Sequence, residues 1–154
     1  MTTQFTIERC HSAPAILAAA RPGLADVEQW ISADKLAFFL DRGIYIAFLA
    51  YGQPRLIDLP LGVIMGGLEE EGRVWVEALS VHPTYRRLGV ATALMAELRA
   101  QARAAQARGL MVDLDDDNTA ALRFYKSVGF KKVGSVDQYY YDASRAIILF
   151  CPLG

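Results

Sequence analysis

The stretch Val74-Trp75-Val76-Glu77-Ala78-Leu79-Ser80-Val81-His82-Pro83-Thr84-Tyr85-Arg86-Arg87-Leu88-Gly89-Val90-Ala91-Thr92 decides how the rest of this chain is read. Its first eight residues are apolar on both faces except at Glu77 and Ser80, the pattern of a strand in the middle of a sheet. His82-Pro83 ends that strand, because proline has no amide to offer a ladder. Gly89 then opens a run to about Ala107 that is rich in Ala, Leu, Gln and Arg. Leu94 and Leu98 fall one turn apart on a single face, so the run predicts a strong helix, with Gly109 ending it. A helix start leaves its first amides unpaired and carries a partial positive charge, which attracts anions. Gly89 and Ala91 are small where bulk would block close approach, and Arg86 and Arg87 add charge-assisted donors. By itself the loop supports an anion site or, equally, a plain helix start with solvated arginines.

Downstream, Leu110 to Leu114 reads as a short buried strand and Asn118 to Val128 as an amphipathic helix closed by Gly129. A strand, helix, strand sequence of this length predicts that the two strands pair in parallel. Phe130 to about Val136 and Arg145 to Phe150 make two further strands, separated by Tyr139-Tyr140-Tyr141. Upstream, Phe5 to Cys10 is a strand, and Ser12 caps an Ala-rich helix that carries Pro14 in its first turn. A helical region follows from about Asp26 to Leu40, with Asp34 capping its last piece and Gly43 stopping it. Ile44 to Ala50 and Leu61 to Gly67, on either side of a turn at Gly52-Gln53-Pro54, are expected to be antiparallel neighbours. The expected class is mixed α/β: a mixed sheet of six to seven strands, antiparallel in its N-terminal part with a parallel pair at its centre, flanked by about four helices.

The 154 residues, 53% of them hydrophobic, suit a single domain over 1–154 with a core of its own. The formal net charge is −1, with both signs interspersed, and nothing in it calls for nucleic acid or an anionic membrane as partner. Cys10 and Cys151 lie near opposite ends and have neither disulfide-framework nor metal or redox spacing, so buried, inert thiols are expected. Met1-Thr2-Thr3-Gln4-Phe5 lacks a basic segment followed by an apolar run, and no apolar stretch is long enough to span a bilayer. The expected location is the cytoplasm.

The loop has neither the Gly-Lys-Ser/Thr ending of a nucleotide P-loop nor the acidic residue of a dinucleotide fingerprint. Arg86-x-x-Gly89-x-Ala91 after an apolar strand instead resembles the acetyl-coenzyme A loop of the GNAT superfamily of N-acetyltransferases. Asn118-x-x-Ala121-x-x-x-Tyr125-x-x-x-Gly129-Phe130 is similar to a second signature of that superfamily, in the right order and at the right spacing. The resemblance covers roughly Val74 to Phe130 and implies roles. Arg86 and the amides of Arg87, Leu88, Gly89, Val90, Ala91 and Thr92 would hold the pyrophosphate. The backbone of Leu79, Ser80 and Val81 would pair with the pantetheine arm where two parallel strands splay, with Asn118 reaching the same arm. Tyr125 would be the general acid that protonates the leaving thiolate; without the signature it reads as a core aromatic.

Glu77, a carboxylate on an apolar strand, needs a partner or a task. Four residues before Val81, it resembles the position from which some members take the proton of the incoming ammonium; a glutamate at a bulge facing solvent, or paired with Arg73 or Arg123, is the plainer alternative. His82 is a second candidate base, placed in a turn where exposed imidazoles are common. Asp113, Asp115, Asp116 and Asp117 suggest attraction of a cation or basic substrate, or only loop solvation and helix N-terminal charge. No spaced ligand set is present, and no metal is expected.

The function expected is transfer of an acetyl group from acetyl-CoA to a primary amine by direct attack in a ternary complex. The alternatives are a non-catalytic acyl-CoA-binding module and a nucleotide-binding domain using the same helix start. The acceptor stays open between a small molecule and a peptide N-terminus. Members acting on protein N-termini carry tyrosines where Tyr139-Tyr140-Tyr141 lies, while the first half of the chain departs from that subgroup. A homodimer is compatible with the sequence, which does not decide the oligomeric state.

Overall fold

Seven strands form one sheet in the order β1-β2-β3-β4-β5-β7-β6. The computed structural model describes residues 4–22, 31–53, 59–69, 71–137 and 145–153. Along the chain come β1 (Gln4–Cys10), α1 (Ala13–Ala20), α2 (Ala33–Asp41), β2 (Tyr45–Gln53), β3 (Gly62–Leu68) and β4 (Arg73–Val81). After a 3-10 turn at Pro83–Tyr85 follow α3 (Val90–Ala104), β5 (Gly109–Asp115), α4 (Thr119–Ser127), β6 (Lys131–Val136) and β7 (Ala146–Pro152). β1 to β4 are an antiparallel meander, β4 and β5 are the parallel pair, and β7 lies antiparallel between β5 and β6. The mixed α/β class, the number of strands and the central parallel pair agree with the sequence expectation.

Helix α3 buries Val90, Leu94, Met95, Leu98 and Ala102, one stripe at helical spacing, against Ile64, Val74, Leu110 and Leu149 of the sheet. On the opposite face α1 and α2 bury Ile16, Leu17, Leu36 and Leu40 with Leu49, Val63 and Met65. Each such large aliphatic side chain contributes about 1.5–3 kcal/mol through the water it sheds. Cys151 is buried as expected, whereas Cys10 is only half-buried at the end of β1, its thiol donating to the Ser12 carbonyl at 3.7 Å.

Three local expectations are corrected. Ser32, not Asp34, caps α2: its extended backbone lets Oγ accept from the Lys35 amide at 3.2 Å, and Asp34 sits in the first turn. The strand β2 runs on through Gly52 and Gln53, which pair with Phe5 and Gln4, so the turn begins later than the glycine suggested. Gly109 does not end α3. The helix exits through Gln106, left-handed at φ 61, and Gly109 is the first residue of β5. A Cβ on Gly109 would stand 2.1 Å from the Phe150 ring, so close packing explains that glycine. Gly109→Ala is expected to cost about 1–3 kcal/mol by overpacking, seen as a lower denaturation midpoint. The predicted helical residues 26–30, Pro54, Glu70 and Tyr139-Tyr140-Tyr141 lie outside the described residues.

Two irregularities in β4 shape the cleft that this strand borders. Met65 pairs with Ala78 but Gly66 with Val76, so Glu77 is the extra residue of a bulge. The bulge changes which residues face which side. Val74 and Val76 before it, and Leu79 and Val81 after it, join the core under α3, while Ser80 turns toward α1 and donates to the Ala20 carbonyl at 3.4 Å. In addition, β4 and β5 pair only at Arg73/Gly109, Val74/Leu110 and Trp75/Met111. Beyond Trp75 the two strands part.

Candidate active site

A groove of about 600 Å³ opens where β4 and β5 diverge, lined by Leu79, Ser80 and Val81 on one side and by Asn118 and Tyr125 on the other. Because parallel pairing stops at Trp75, this edge of β4 is left for an added strand-like ligand. The groove leads into a cavity of about 260 Å³ under the loop, with Arg86, Arg87 and Ala91 bordering both. Gly89, Val90 and Thr92 line the loop cavity alone. Leu88 lines neither and is 41% exposed.

The loop is held open by its backbone. Arg86 Nε donates to the Val81 carbonyl at 3.3 Å, which ties the loop to the end of β4. Arg87 at φ 65 and Gly89 at φ 84 are both left-handed, a strained choice for an arginine that costs on the order of 1 kcal/mol. Gly89 caps α3 without a side chain, and the first bond of the helix is Ala93 N–H to the Gly89 carbonyl at 3.0 Å. The amides of Val90, Ala91 and Thr92 therefore precede the ladder and suit an anion. A Cβ at Gly89 would meet nothing within 4 Å, so the protein itself does not fill the space above it.

Tyr125 is positioned by both ends of α4. Asn118 Oδ1 accepts from the Ala121 amide at 3.1 Å, and Gly129 at φ 101 lets Phe130 N–H bond back to the Tyr125 carbonyl at 3.0 Å. The Arg99 guanidinium, reaching from α3, donates to the Val128 carbonyl and also to Cys151 Sγ at 3.7 Å, pinning the end of α4 against β7. The Tyr125 ring stands edge-on to Phe130 at 5.1 Å and to Phe124 at 5.3 Å. Burial, and after it the negative charge of Asp113, push its phenol well above the usual range. It is thus fully protonated at neutral pH and able to donate.

On the far side of the gap lies a recess of about 340 Å³ bounded by Tyr45, Leu68, Glu69 and Trp75, with Gly67 as its floor. Glu77 and Asp113 border both the recess and the groove, and no other described residue does. By surface area Glu77 counts as exposed, because the bulge lifts it off the strand. Its carboxylate nevertheless lies over Gly67, where a Cβ would come within 2.7 Å of Oε1. Burial first, and the Asp113 charge second, raise its carboxyl above the ordinary carboxylate range; burial and then Glu77 raise the Tyr45 phenol likewise.

A model described as the Acetyltransferase (GNAT) family matches residues 14–130. The chain belongs to the GNAT acetyltransferase family. An N-alpha-acetyltransferase of Sulfurisphaera tokodaii is 34% identical over 79 residues, a stretch covering 51% of this chain and 47% of that protein, so the chain spans just under half of that relative. N-alpha-acetyltransferase 30 of Saccharomyces cerevisiae is 25% identical over 137 residues, 84% of this chain and 76% of that one. Among solved structures, the NatC complex bound to Gag peptide and CoA superposes with a TM-score of 0.82 at 20% identity, covering 98% of this chain and 99% of that chain, which shows the fold.

Within this GNAT chain the structure separates the candidate bases. His82 faces neither cavity: its Nδ1 accepts from the Thr84 amide at 3.2 Å and its ring packs 5.4 Å from Tyr85. Arg73 is paired with Glu69 at 2.5 Å and Glu71 at 2.8 Å, and the ion pair considered for Glu77 is not among these. Asp115, Asp116 and Asp117 bring their carboxylates within 4.8 Å of one another next to the N-terminus of α4, and Asp115 Oδ1 accepts from the Asp117 amide at 3.0 Å. Asp113, from the same acidic run, is placed elsewhere. Its strand position, two residues beyond the last paired residue Met111, sets it across the gap from Glu77. Tyr45 and Trp75 carry no sequence signal that marks them as site residues, and Asp113 stands out only as part of the acidic run. For Asp113 the available signal was period-two alternation along β5, which puts Met111 and Asp113 on one face. No described helix is long and apolar enough to cross a membrane.

Proposed function

We propose that the chain transfers the acetyl group of acetyl-CoA to the free amine of a peptide N-terminus. The observation that carries this reading is the meeting of groove and recess at a gap flanked by Glu77 and Asp113. A donor and an acceptor entering from opposite sides of the sheet would touch only there. The groove fits coenzyme A in its parts. Arg86 and the amides of Arg87 to Thr92 hold the pyrophosphate, the freed edge at Leu79, Ser80 and Val81 holds the pantetheine arm, and Asn118 keeps its amide NH2 for that arm while its carbonyl caps α4. The bound donor supplies an acyl thioester.

The chain's own residues then manage two protons. Glu77 accepts one from the acceptor ammonium, freeing the lone pair that attacks the acyl carbon. Tyr125 O–H gives one to the departing sulfur, which would otherwise leave as a thiolate in a buried site, and the second proton shed by the attacking nitrogen as the amide forms returns the phenol to its protonated state. The raised carboxyl of Glu77 favours this exchange, since a stronger base is closer to the ammonium it must deprotonate. An α-ammonium, near a pKa of about 8, yields its proton more readily than a lysine ammonium near about 10.4. That difference and the N-alpha-acetyltransferase relatives favour a peptide N-terminus over a lysine or polyamine.

The direct test mixes the protein with acetyl-CoA and a panel of peptides, polyamines and amino acids and follows release of free thiol. Turnover with free but not N-blocked peptides is the expected result. Tight binding of acetyl-CoA without turnover of any amine would make the chain a binding module instead.

A further inference from the structure

A second cavity, of about 460 Å³, lies beside the acceptor recess and takes no part in the chemistry above. Strand register puts both on one face of the sheet. Trp75 of the recess pairs with Met111, and Met111 with Phe150, and these two line the second cavity. Met111 is 6% exposed yet belongs to neither hydrophobic core, and the Phe150 ring occupies the space above Gly109. Val133, the bulged residue of β6, completes the lining and is 60% exposed. Among the described residues, α1 and α2 pack on β2, β3 and β4, short of this part of the sheet.

One hydrogen-bonded wall separates the cavities. Glu69, in the recess, accepts from Trp75 Nε1 and from Arg73 Nε, each at 2.5 Å, and Arg73 faces the second cavity. The cations at the margin are already engaged. Arg73 pairs with Glu69 and Glu71, and Arg108 Nε donates to the Glu71 carbonyl at 3.1 Å. That leaves the apolar floor of Met111, Phe150 and Val133 as the recognition element, rather than a site for an anion.

We propose that this cavity receives an apolar side chain of an extended peptide acceptor, about four residues from the amine that is acetylated. The inference rests on the peptide reading above and deepens it. From Glu77 back to Arg73 is four positions along β4, about 13 Å at a strand rise of about 3.3 Å per residue. A peptide laid extended over the wall covers that span with about as many residues of its own.

The experiment measures kcat/KM for peptides of common N-terminal sequence that carry Leu, Ala or Asp at positions three, four and five, with wild type, Val133→Ala and Val133→Glu. Val133 is an exposed residue of an edge strand, away from Glu77, Asp113 and Tyr125. Wild type is expected to prefer Leu over Ala by roughly tenfold at one of these positions. Val133→Glu should abolish that preference, and Val133→Ala should weaken it. Equal use of Leu, Ala and Asp at all three positions, or a Leu preference that survives Val133→Glu, overturns the proposal. Acetylation of small amines with no peptide accepted would overturn the peptide reading itself, and this subsite with it.

Discussion

Tyr125→Phe is expected to lower kcat by roughly a hundredfold or more while leaving the affinity for acetyl-CoA unchanged. The substitution removes only the hydroxyl. The ring that packs against Phe124 and Phe130 stays, so the thermal midpoint should move little. Without the phenol, the departing sulfur must leave unprotonated or borrow a proton from water. Steady-state thiol release together with equilibrium binding of acetyl-CoA separates the two effects. Retained kcat would return Tyr125 to the role of a core aromatic. The raised phenol adds a pH expectation: activity should show no loss attributable to Tyr125 as the pH climbs to about 10, the ordinary tyrosine value.

The second large effect concerns the two carboxylates. Glu77→Gln is expected to lower kcat/KM at neutral pH by roughly a hundredfold, because the ammonium loses its proton acceptor. Asp113→Asn should act differently. Since the Asp113 charge helps to raise the Glu77 carboxyl, neutralising it lowers that pKa, and the acid limb of the kcat/KM profile moves to lower pH. An Asp113→Asn variant that is inactive at every pH would transfer the role of base to Asp113.

Stability gives an independent reading of the same pair. A carboxyl whose folded pKa is raised binds its proton more tightly in the folded state. Its contribution is therefore full below the unfolded value of about 4.3 and is lost as pH rises through the folded value. Glu77→Gln should accordingly melt above wild type at pH 8 and together with it near pH 4. The effect is small because Glu77 is exposed by area and water screens its charge.

Much of the candidate donor site was legible in the one-dimensional pattern, since its parts are local. A left-handed Gly89, the orphan amides behind it, the Asn118 cap and the Gly129 stop are each set by a residue and its near neighbours. The acceptor side was not legible, because it is built from β2, β3, β4 and β5 together. Glu77 drew notice as a carboxylate on an apolar strand, and of the readings open to it the structure takes that of a glutamate at a bulge. Alternation within one strand carries no information about a bulge, which is a mismatch of count between β4 and β3.

By itself, then, the sequence determined the mixed α/β class, the parallel crossover from β4 to β5 and a helix that opens at Gly89, all consequences of periodicity, chain length and backbone chemistry between residues close in sequence. Tertiary structure alone decided that pairing of β4 and β5 stops at Trp75, that Asp113 faces Glu77 across the resulting gap, and that Trp75, Glu69 and Arg73 divide the recess from the Met111 cavity. Those facts depend on sheet twist and on register between strands distant in sequence, where a shift of a single residue turns every side chain to the other face.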